Sequence, residues 1–550
     1  SGLAASFMTL PPDYAVLGQS KPNRIDDVCD SATGSMGEGL IELEVLSISG
    51  ECMLTLNVAD SMLGRELWKN ILDKLPFKPG RQLVLSHNTS KLVLHKSLQQ
   101  QGFGSEWEQV SATYVPVNLL AALRFAHGFN VEDEEFSLDG IAEMTEVSDN
   151  MPALLHNLPK SLHTLTFAPG FNRELRHVRL PAGLQSLTLG QTFNQNLDNV
   201  TWPAGLQNLT FGQRFNQNLD NMTWPAGLQC LTFGGGFNQN LDNMTWPAGL
   251  QSLTLSAKAK QKLDKVAWPA GLQSLTLGGG FNSNLDSVSW PERLRRLTLG
   301  QNFNQSLDNV TWPASLQCLT LGQKFNRSLD KVTWPAGLQS LTFGVLFNQN
   351  LDNVTWPAGL QSLTFDERFD QSLDNVTWPA GLQSLTFGFY FNQSLDNVTW
   401  PAGLQCLTFG FYFNQNLDKV TWPAGLQSLT FGVLFNQNLD NVTWPAGLQN
   451  LTFGQRFNQN LDNMTWPAGL QSLTLGGGFN QNLDNMTWPE GLQSLTLGED
   501  DQSLDKVTWP EGLKYLTFVS SSMGRRLLES NVVLPRSLHK LRIESMQLMC

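Results

Sequence analysis

Apolar and polar positions follow one another along most of this chain in a pattern that repeats every 22 residues. Residues 202–223 form one unit, with apolar residues at Trp202, Leu206, Leu209, Phe211, Phe215, Leu219 and Met222. The tryptophans recur at this spacing from Trp202 to Trp488, and Trp509 follows one residue early. A fixed period of this length is typical of a solenoid, in which each coil packs only on its neighbours.

Each unit predicts one short strand and one turn. Leu209, Thr210 and Phe211 alternate in polarity, so the strand is expected to point its Thr outwards. Pro203 and Gly205 favour a turn, because Pro fixes φ and Gly permits positive φ. Stacked coils therefore predict a parallel sheet with strands ~4.8 Å apart and a column of stacked indoles inside it.

Two polar positions also recur in every regular unit. The Asn after the second Phe, as in Asn194 and Asn216, predicts a column of amides that bind backbone groups at the corner of the coil. The Asp column from Asp198 to Asp505 predicts side chains that cap nearby turns. Calcium along this column is the alternative, although one carboxylate per coil supplies few of the oxygens that an ion needs.

The pattern divides the chain into five parts. Residues 1–38 have little periodicity and predict a disordered tail. Residues 39–118 predict a small α+β domain, and residues 119–160 predict an N-terminal cap with a degenerate repeat and an acidic insert. Residues 161–518 form the predicted solenoid and residues 519–550 its C-terminal cap, because the consensus is lost at both ends.

The small domain has a recognisable order of elements. The stretch SGECMLTLNVADSMLGRELWKNIL predicts a hairpin and then a helix from Asp60 to Leu72, and GRQLVLSHNTSKL predicts the next strand and turn. This order resembles a ubiquitin-like domain with the β-grasp fold. The resemblance implies a docking module fused to a scaffold. Conjugation as a modifier is not expected, because the chain continues past the domain without a free Gly-Gly end.

The repeat itself has a family signature. The block SLTFGxxFNQNLDNVTWP resembles the FNIP repeat, a 22-residue relative of leucine-rich repeats that is abundant in amoebozoan and other protist genomes. The resemblance covers roughly residues 150–545, and Trp-Pro departs from the usual Leu-Pro. It implies a leucine-rich-repeat-like solenoid, a parallel sheet of short strands with one strand per coil, and a role in protein–protein interaction. It carries no catalytic residues.

Composition and charge narrow the function. A net charge of −13 argues against nucleic acid as a partner, since nucleic-acid binding rests on a basic surface. No apolar run approaches the ~20 residues that a membrane span needs. None of the seven histidines lies between residues 180 and 505, and no nucleophile, phosphate-binding or zinc motif is present. The sequence therefore predicts a protein that is not an enzyme and uses no cofactor or metal.

Cysteine spacing bears on the compartment. Cys230, Cys318 and Cys406 lie 88 residues apart, which is roughly 19 Å at ~4.8 Å per coil and beyond the reach of a disulfide. Free thiols favour a reducing compartment and a cytoplasmic location. Secretion is the alternative, because sequons such as Asn199-Val200-Thr201 recur with the repeat.

The two residues after the recurrent Gly vary most between coils. They are polar or Gly in most coils but apolar in four, at Val345, Leu346, Phe389, Tyr390, Phe411, Tyr412, Val433 and Leu434. The charged stretch Asp366–Arg368 interrupts this set. If these side chains face outwards, they predict a binding site for another protein or for a second copy of this chain. Alternatively, one residue of each pair folds inwards, or recent duplication merely copied neighbouring coils.

A second departure from the consensus is basic. It consists of Lys258, Lys260, Arg293, Arg295 and Arg296. These residues predict a spot for an anion or an acidic partner, unless they reflect drift in tolerant coils. The leading hypothesis is a non-enzymatic scaffold or adapter with a docking module. The alternative is a structural solenoid, either a secreted rod or an array that binds ice or glycans through its Thr and Gln columns.

Overall fold

The computed structural model divides the chain into two compact units, Ser1–Gly190 and Gln191–Cys550. It describes residues 40–46, 52–59, 81–87, 90–91, 108–116, 142–149, 155–519 and 533–543, apart from 221, 257–261, 499–503 and 505. Up to residue 116 the description covers the backbone of the strands only. The predicted tail at 1–38 and the predicted helix from Asp60 to Leu72 lie outside the described residues.

The first unit begins with a five-stranded sheet. Its strands are β1 (Leu40–Leu46), β2 (Cys52–Ala59), β3 (Arg81–His87), β4 (Ser90–Lys91) and β5 (Glu108–Pro116). Their order across the sheet is β2-β1-β5-β3-β4. β1 pairs with β5 in parallel, whereas β1–β2, β3–β5 and β3–β4 are antiparallel. The chain therefore returns to the centre of the sheet with its last strand.

The next three strands of this unit pair in parallel. β6 (Glu143–Val147), β7 (Thr164–Phe167) and β8 (Ser186–Thr188) pair in that order, with a register shift after Met144. A short 3-10 helix spans Leu175–His177 between the last two strands. From β7 to β8 the pairing is regular, because each residue lies opposite the one 22 positions further along the chain.

The second unit is a parallel β-solenoid with one short strand per coil. Among its described residues, sixteen strands pair in chain order: β9 (Asn208–Thr210), β10 (Cys230–Phe233), β11 (Ser252–Leu255), β12 (Ser274–Leu277), β13 (Arg296–Thr298), β14 (Cys318–Thr320), β15 (Ser340–Thr342), β16 (Ser362–Thr364), β17 (Ser384–Thr386), β18 (Cys406–Thr408), β19 (Ser428–Thr430), β20 (Asn450–Thr452), β21 (Ser472–Thr474), β22 (Ser494–Leu497), β23 (Tyr515–Phe518) and β24 (Lys540–Ile543). Leu341 lies opposite Leu363, and Thr342 opposite Thr364, so each residue stacks on its own counterpart. The predicted sheet is confirmed.

Aromatic columns fill the inside of the coils. Phe343 stacks on Phe347 of its own coil with ring centroids 4.1 Å apart, and Phe347 stacks on Phe369 of the next coil at 6.0 Å. Trp356 and Trp378 lie 6.4 Å apart with planes 13° from parallel. The predicted indole column is therefore present.

The tryptophans hold the coils together mainly by packing. Trp224 donates its indole N–H to the Thr245 carbonyl oxygen at 2.6 Å. From Trp246 to Trp509, thirteen indole Nε1 atoms are buried and have no hydrogen-bond partner in the described part of the chain. Their contribution to stability is therefore apolar burial and ring stacking rather than hydrogen bonding.

In most coils a glycine follows the strand at a point where successive coils approach closely, although other residues, such as Ala168, Ser256 and Asp366, occupy this position in some coils. A Cβ on Gly344 would run into the carbonyl oxygen of Gly322 and lie 2.6 Å from the Gln323 Cα atom. Gly410 meets the carbonyl of Gly388 in the same way. No side chain fits there unless the backbone shifts.

The glycine in Trp-Pro-Ala-Gly has a looser environment. At Gly227 and Gly359 φ is not in the left-handed region, so the expectation of positive φ is wrong for these described positions. A Cβ on Gly359 would lie 3.4 Å from the Ala336 carbonyl oxygen. Arg293 and Ser315 occupy the same position in other coils, which agrees with the available space.

The two glycine positions predict different costs for the same substitution. Gly344→Ala should lower the free energy of unfolding by about 1–3 kcal/mol, because the added methyl overpacks against backbone that must move. Gly359→Ala, the matched control, should stay within about 0.5 kcal/mol of the unmodified protein. Urea unfolding of the full chain measures both. Equal effects of the two substitutions would contradict the close-approach explanation. The cost of Gly344→Ala is expected to stay within this range, because the fold accommodates Asp366 at the same position of the next coil.

Candidate interaction surface

The variable pair after each strand sits on a hydrogen-bond ladder of its own. Tyr390 donates its backbone N–H to the Glu367 carbonyl oxygen at 2.8 Å, and Tyr412 donates to Phe389 at 2.9 Å. Leu434 continues the ladder by donating to Phe411 at 2.9 Å. The second residue of each pair is thus tied to the first residue of the coil before it. The pairs therefore form two parallel columns along the edge of the solenoid.

Four aromatic side chains on this edge form one cluster, here called the aromatic patch: Phe389, Tyr390, Phe411 and Tyr412. Phe389 is 40% exposed, Tyr390 46% and Tyr412 40%, and Phe411 is half-buried. The core positions on either side are filled by other rings, since Phe387 and Phe391 are buried. The aromatic pairs therefore face outwards, and the alternative of an inward-folded residue does not apply to them.

The rings of the patch are ordered by stacking along the solenoid. Phe389 stacks on Phe411 with centroids 4.6 Å apart, and Tyr390 stacks on Tyr412 at 5.2 Å. Within one coil the rings meet edge to face, at 5.0 Å for Phe389 and Tyr390. The sequence predicts these four residues as a site but does not predict how their rings stack. The one sequence feature that indicates stacking is the occurrence of the same Phe-Tyr pair one period apart.

The aliphatic residues of the predicted site are divided between two places. Val433 and Leu434 are half-buried and occupy the coil directly after the aromatic patch. Val345 and Leu346 are also half-buried, but the coil that carries Glu367 separates them from the patch. The structure therefore brings six of the eight predicted residues into three successive coils and leaves two beyond a charged coil.

An amide ladder runs beside the patch. Asn392 Oδ1 accepts the backbone N–H of Asn414 at 2.9 Å and the side chain of Gln415 at 3.1 Å. Asn414 does the same for Asn436 of the next coil at 2.9 Å. The prediction that this column binds backbone groups at the corner is confirmed. The ladder gives the patch a regular polar border.

The amide ladder predicts different outcomes for two substitutions at one site. Asn414→Ala removes the acceptor of the Asn436 amide and should cost about 1 kcal/mol of stability. Asn414→Asp keeps an acceptor and should remain within about 0.5 kcal/mol, because Asp370 naturally accepts the Asn392 N–H at 2.9 Å in the same column. Hydrogen exchange at the Asn436 amide should accelerate in the first variant only. Equal protection in both would contradict the role of the side-chain acceptor.

The acidic column is paired locally. Asp418 donates its backbone N–H to Asn416 Oδ1 at 2.8 Å, and its carboxylate accepts the Asn416 amide at 3.2 Å. The cap on this turn is therefore supplied by the residue two positions before the Asp. In the described residues, no cluster of three or more His, Cys, Asp or Glu could hold a metal ion.

The predicted basic spot is only partly described. Arg293, Arg295 and Arg296 are exposed, and Arg296 opens β13 between Ser274 and Cys318 on the adjacent strands. The remaining two residues, Lys258 and Lys260, lie outside the described residues. All three arginine side chains are thus accessible to solvent, and Arg296 lies in the sheet itself.

Between β14 and β22 the outer face of the sheet is uncharged and regular. Its Thr residues, such as Thr386 and Thr408, stack in register and are half-buried. Cys230 and Cys318 on this face are half-buried free thiols, and Cys406 is an exposed one, as the spacing predicts. Among the described residues, the helices are all too short or too polar to cross a bilayer.

Comparison with known families assigns the repeats. The FNIP Repeat family matches residues 193–236, 281–324, 325–367, 347–390, 391–434, 435–478 and 457–500. These residues carry FNIP repeats. The aromatic patch lies within two of the matched FNIP segments, so it is a variation on an established repeat. No curated protein matches the chain.

Several solved structures are similar to this chain. One is CroV588, a circular leucine-rich-repeat protein, with 29% identity over 72% of this chain and 74% of that one, and a TM-score of 0.43. Another is an internalin from Listeria monocytogenes, with 14% identity over 59% and 84% of the two chains and a TM-score of 0.32. A third comes from the Toll–Spatzle complex of Drosophila, with 12% identity over 74% and 50% and a TM-score of 0.35.

Proposed function

We propose that this FNIP-repeat protein is a non-enzymatic scaffold that binds a protein partner through the aromatic patch. The observation that carries this proposal is a cluster of four stacked aromatic rings on the solenoid edge, three of them at least 40% exposed, with Val433 and Leu434 in the next coil. Large aromatic side chains at the centre of a patch are where binding energy concentrates in protein interfaces. Such rings gain little by facing water unless a partner covers them.

The aromatic patch is preorganised for binding. The ladder from Glu367 to Leu434 fixes the backbone under the rings, and ring stacking restricts their rotamers. A partner therefore pays little conformational entropy to order this surface. The neighbouring Asn392, Asn414 and Arg368 are exposed and supply a polar rim.

The patch can be removed with residues that the repeat already accepts. The variant Phe389→Gln, Tyr390→Arg, Phe411→Gln, Tyr412→Arg copies the pair found at Gln213-Arg214 and Gln455-Arg456. Arg214 and Arg456 donate to the same ladder at 2.9 Å, so folding should be unchanged. Partner affinity, measured by quantitative capture from native lysate and then by titration, should fall roughly 30-fold or more.

The control for this experiment changes a turn outside the patch. Gln213→Gly with Arg214→Gly reproduces the Gly-Gly pair at 235–236 and should leave binding intact. A patch variant that unfolds, or loses more than ~4 kcal/mol of stability, would show that the rings belong to the core. Unchanged binding by a folded patch variant would overturn the proposal.

For the N-terminal sheet we propose a ubiquitin-like docking module. The strand order β2-β1-β5-β3-β4, with β1 and β5 parallel at the centre, supports this assignment. Along the chain, the antiparallel pair β1–β2 agrees with the hairpin that the sequence predicts, and β3 agrees with the strand predicted after it. A fold-level likeness carries no activity, so the module is assigned binding only.

Deleting residues 40–118 tests the module. The deletion should remove one set of captured proteins and keep those that depend on the aromatic patch, because the two surfaces belong to separate domains. Deleting residues 1–38 is the control and should remove neither set. An unchanged set of partners after the larger deletion would leave the solenoid as the only binding element.

A further inference from the structure

One charged coil lies inside the apolar band of the solenoid edge. Glu367 and Arg368 are exposed and occupy the positions that hold Phe and Tyr in the next two coils. Neither side chain forms an ion pair with any other residue in the described part of the chain. Asp366, the third exposed charge of this coil, accepts the backbone N–H of Glu367 at 2.9 Å and lies one position before the two columns. Glu367 and Arg368 are thus adjacent opposite charges that are not joined to each other by an ion pair.

The band has two columns with unlike members. The first column contains Val345, Glu367, Phe389, Phe411 and Val433. The second contains Leu346, Arg368, Tyr390, Tyr412 and Leu434. Consider a dimer whose two-fold axis runs parallel to the stacking direction. In such a dimer the first column of one copy would face the second column of the other, and each coil would face the same coil of the other copy. The two surfaces of such a contact are identical, as closed dimers require.

This parallel arrangement satisfies the charges. In it, Glu367 would face Arg368 of the partner subunit, and the symmetry would make a second, reciprocal pair. Phe389 would face Tyr390 of the partner subunit. At the ends of the band, Lys324 and Arg456 come opposite neutral glutamines of the other copy, because Gln323 and Gln455 precede them. No like charges meet, so the band is electrostatically complementary to itself.

The antiparallel alternative does not satisfy the charges. If the two-fold axis runs perpendicular to the stacking direction, each column faces the same column of the other copy, with the coils in reverse order. When this contact is centred on the aromatic patch, Glu367 and Arg368 lie opposite aromatic or aliphatic side chains. The register centred on the charged coil sets Glu367 against Glu367 of the partner subunit. Covering an unpaired charge or pairing like charges costs free energy in either register.

We infer that the aromatic patch binds a second copy of this chain, in a parallel two-fold dimer held in register by reciprocal Glu367–Arg368 ion pairs. The inference rests on the proposed function, since it names a partner for the same surface. The five coils from Val345 to Leu434 span roughly 19 Å at ~4.8 Å per coil. A contact of this length is smaller than a standard interface, so dissociation on the order of micromolar is expected.

The dimer is tested by reversing the two charges separately and together. Sedimentation velocity of the full chain over a concentration series gives the dissociation constant of the unmodified protein, Glu367→Arg, Arg368→Glu and the double variant. Each single reversal sets like charges opposite each other twice and should weaken the dimer roughly tenfold. The double variant again pairs opposite charges twice and should recover the original affinity.

The double variant also controls for folding, because a defect caused by either substitution would persist in it. Recovery distinguishes self-association from a different protein, whose fixed charges could not follow the exchange. A monomeric unmodified protein at ~100 μM, or a double variant as weak as the singles, would overturn the parallel dimer. If the chain is monomeric but the four-residue patch variant still loses a captured protein, the proposed function stands and only the self-contact is wrong.

Discussion

Each position of a coil lies directly above its own counterpart, one strand spacing away, so every residue must be compatible with a copy of itself. At Gly344 and Gly410 the backbone of the preceding coil leaves no room for a Cβ unless it shifts. At Asn392 and Asn414 the requirement is met by a side chain that accepts the N–H of its own counterpart. Phe and Trp meet it by stacking. The consensus residues of the repeat are those that can pack against, or hydrogen-bond to, an identical residue in the next coil.

The same constraint produces the aromatic patch. When one coil with Phe-Tyr is followed by another, the register of the ladder brings Phe389 onto Phe411 and Tyr390 onto Tyr412 without any further design. Duplication, which copies neighbouring coils, thereby builds a surface whose rings support one another. A single exposed ring would be mobile, whereas two stacked pairs present a firm surface to a partner.

The period predicted the architecture, but side-chain direction at the turn could not be deduced from it. Simple alternation would place Phe387, Phe389 and Phe391 on one face, yet the turn sends only the middle ring outwards while the other two are buried. The preference for glycine at position 344 could not be explained from the sequence either, because it depends on the distance between the backbones of two successive coils. The Asn ladder was predictable, since a recurring amide at a corner has few other uses.

A solenoid surface made of identical coils cannot specify its register, because every coil could pair with every other coil at similar cost. Specificity therefore has to come from a coil that differs from its neighbours. Glu367 and Arg368 supply the most distinctive coil of this edge, with both signs of charge in adjacent columns. Shifting a parallel contact by one coil would set these charges against apolar residues. In the proposed dimer the rings thus provide most of the binding energy, and the charged coil adds a preference for one register.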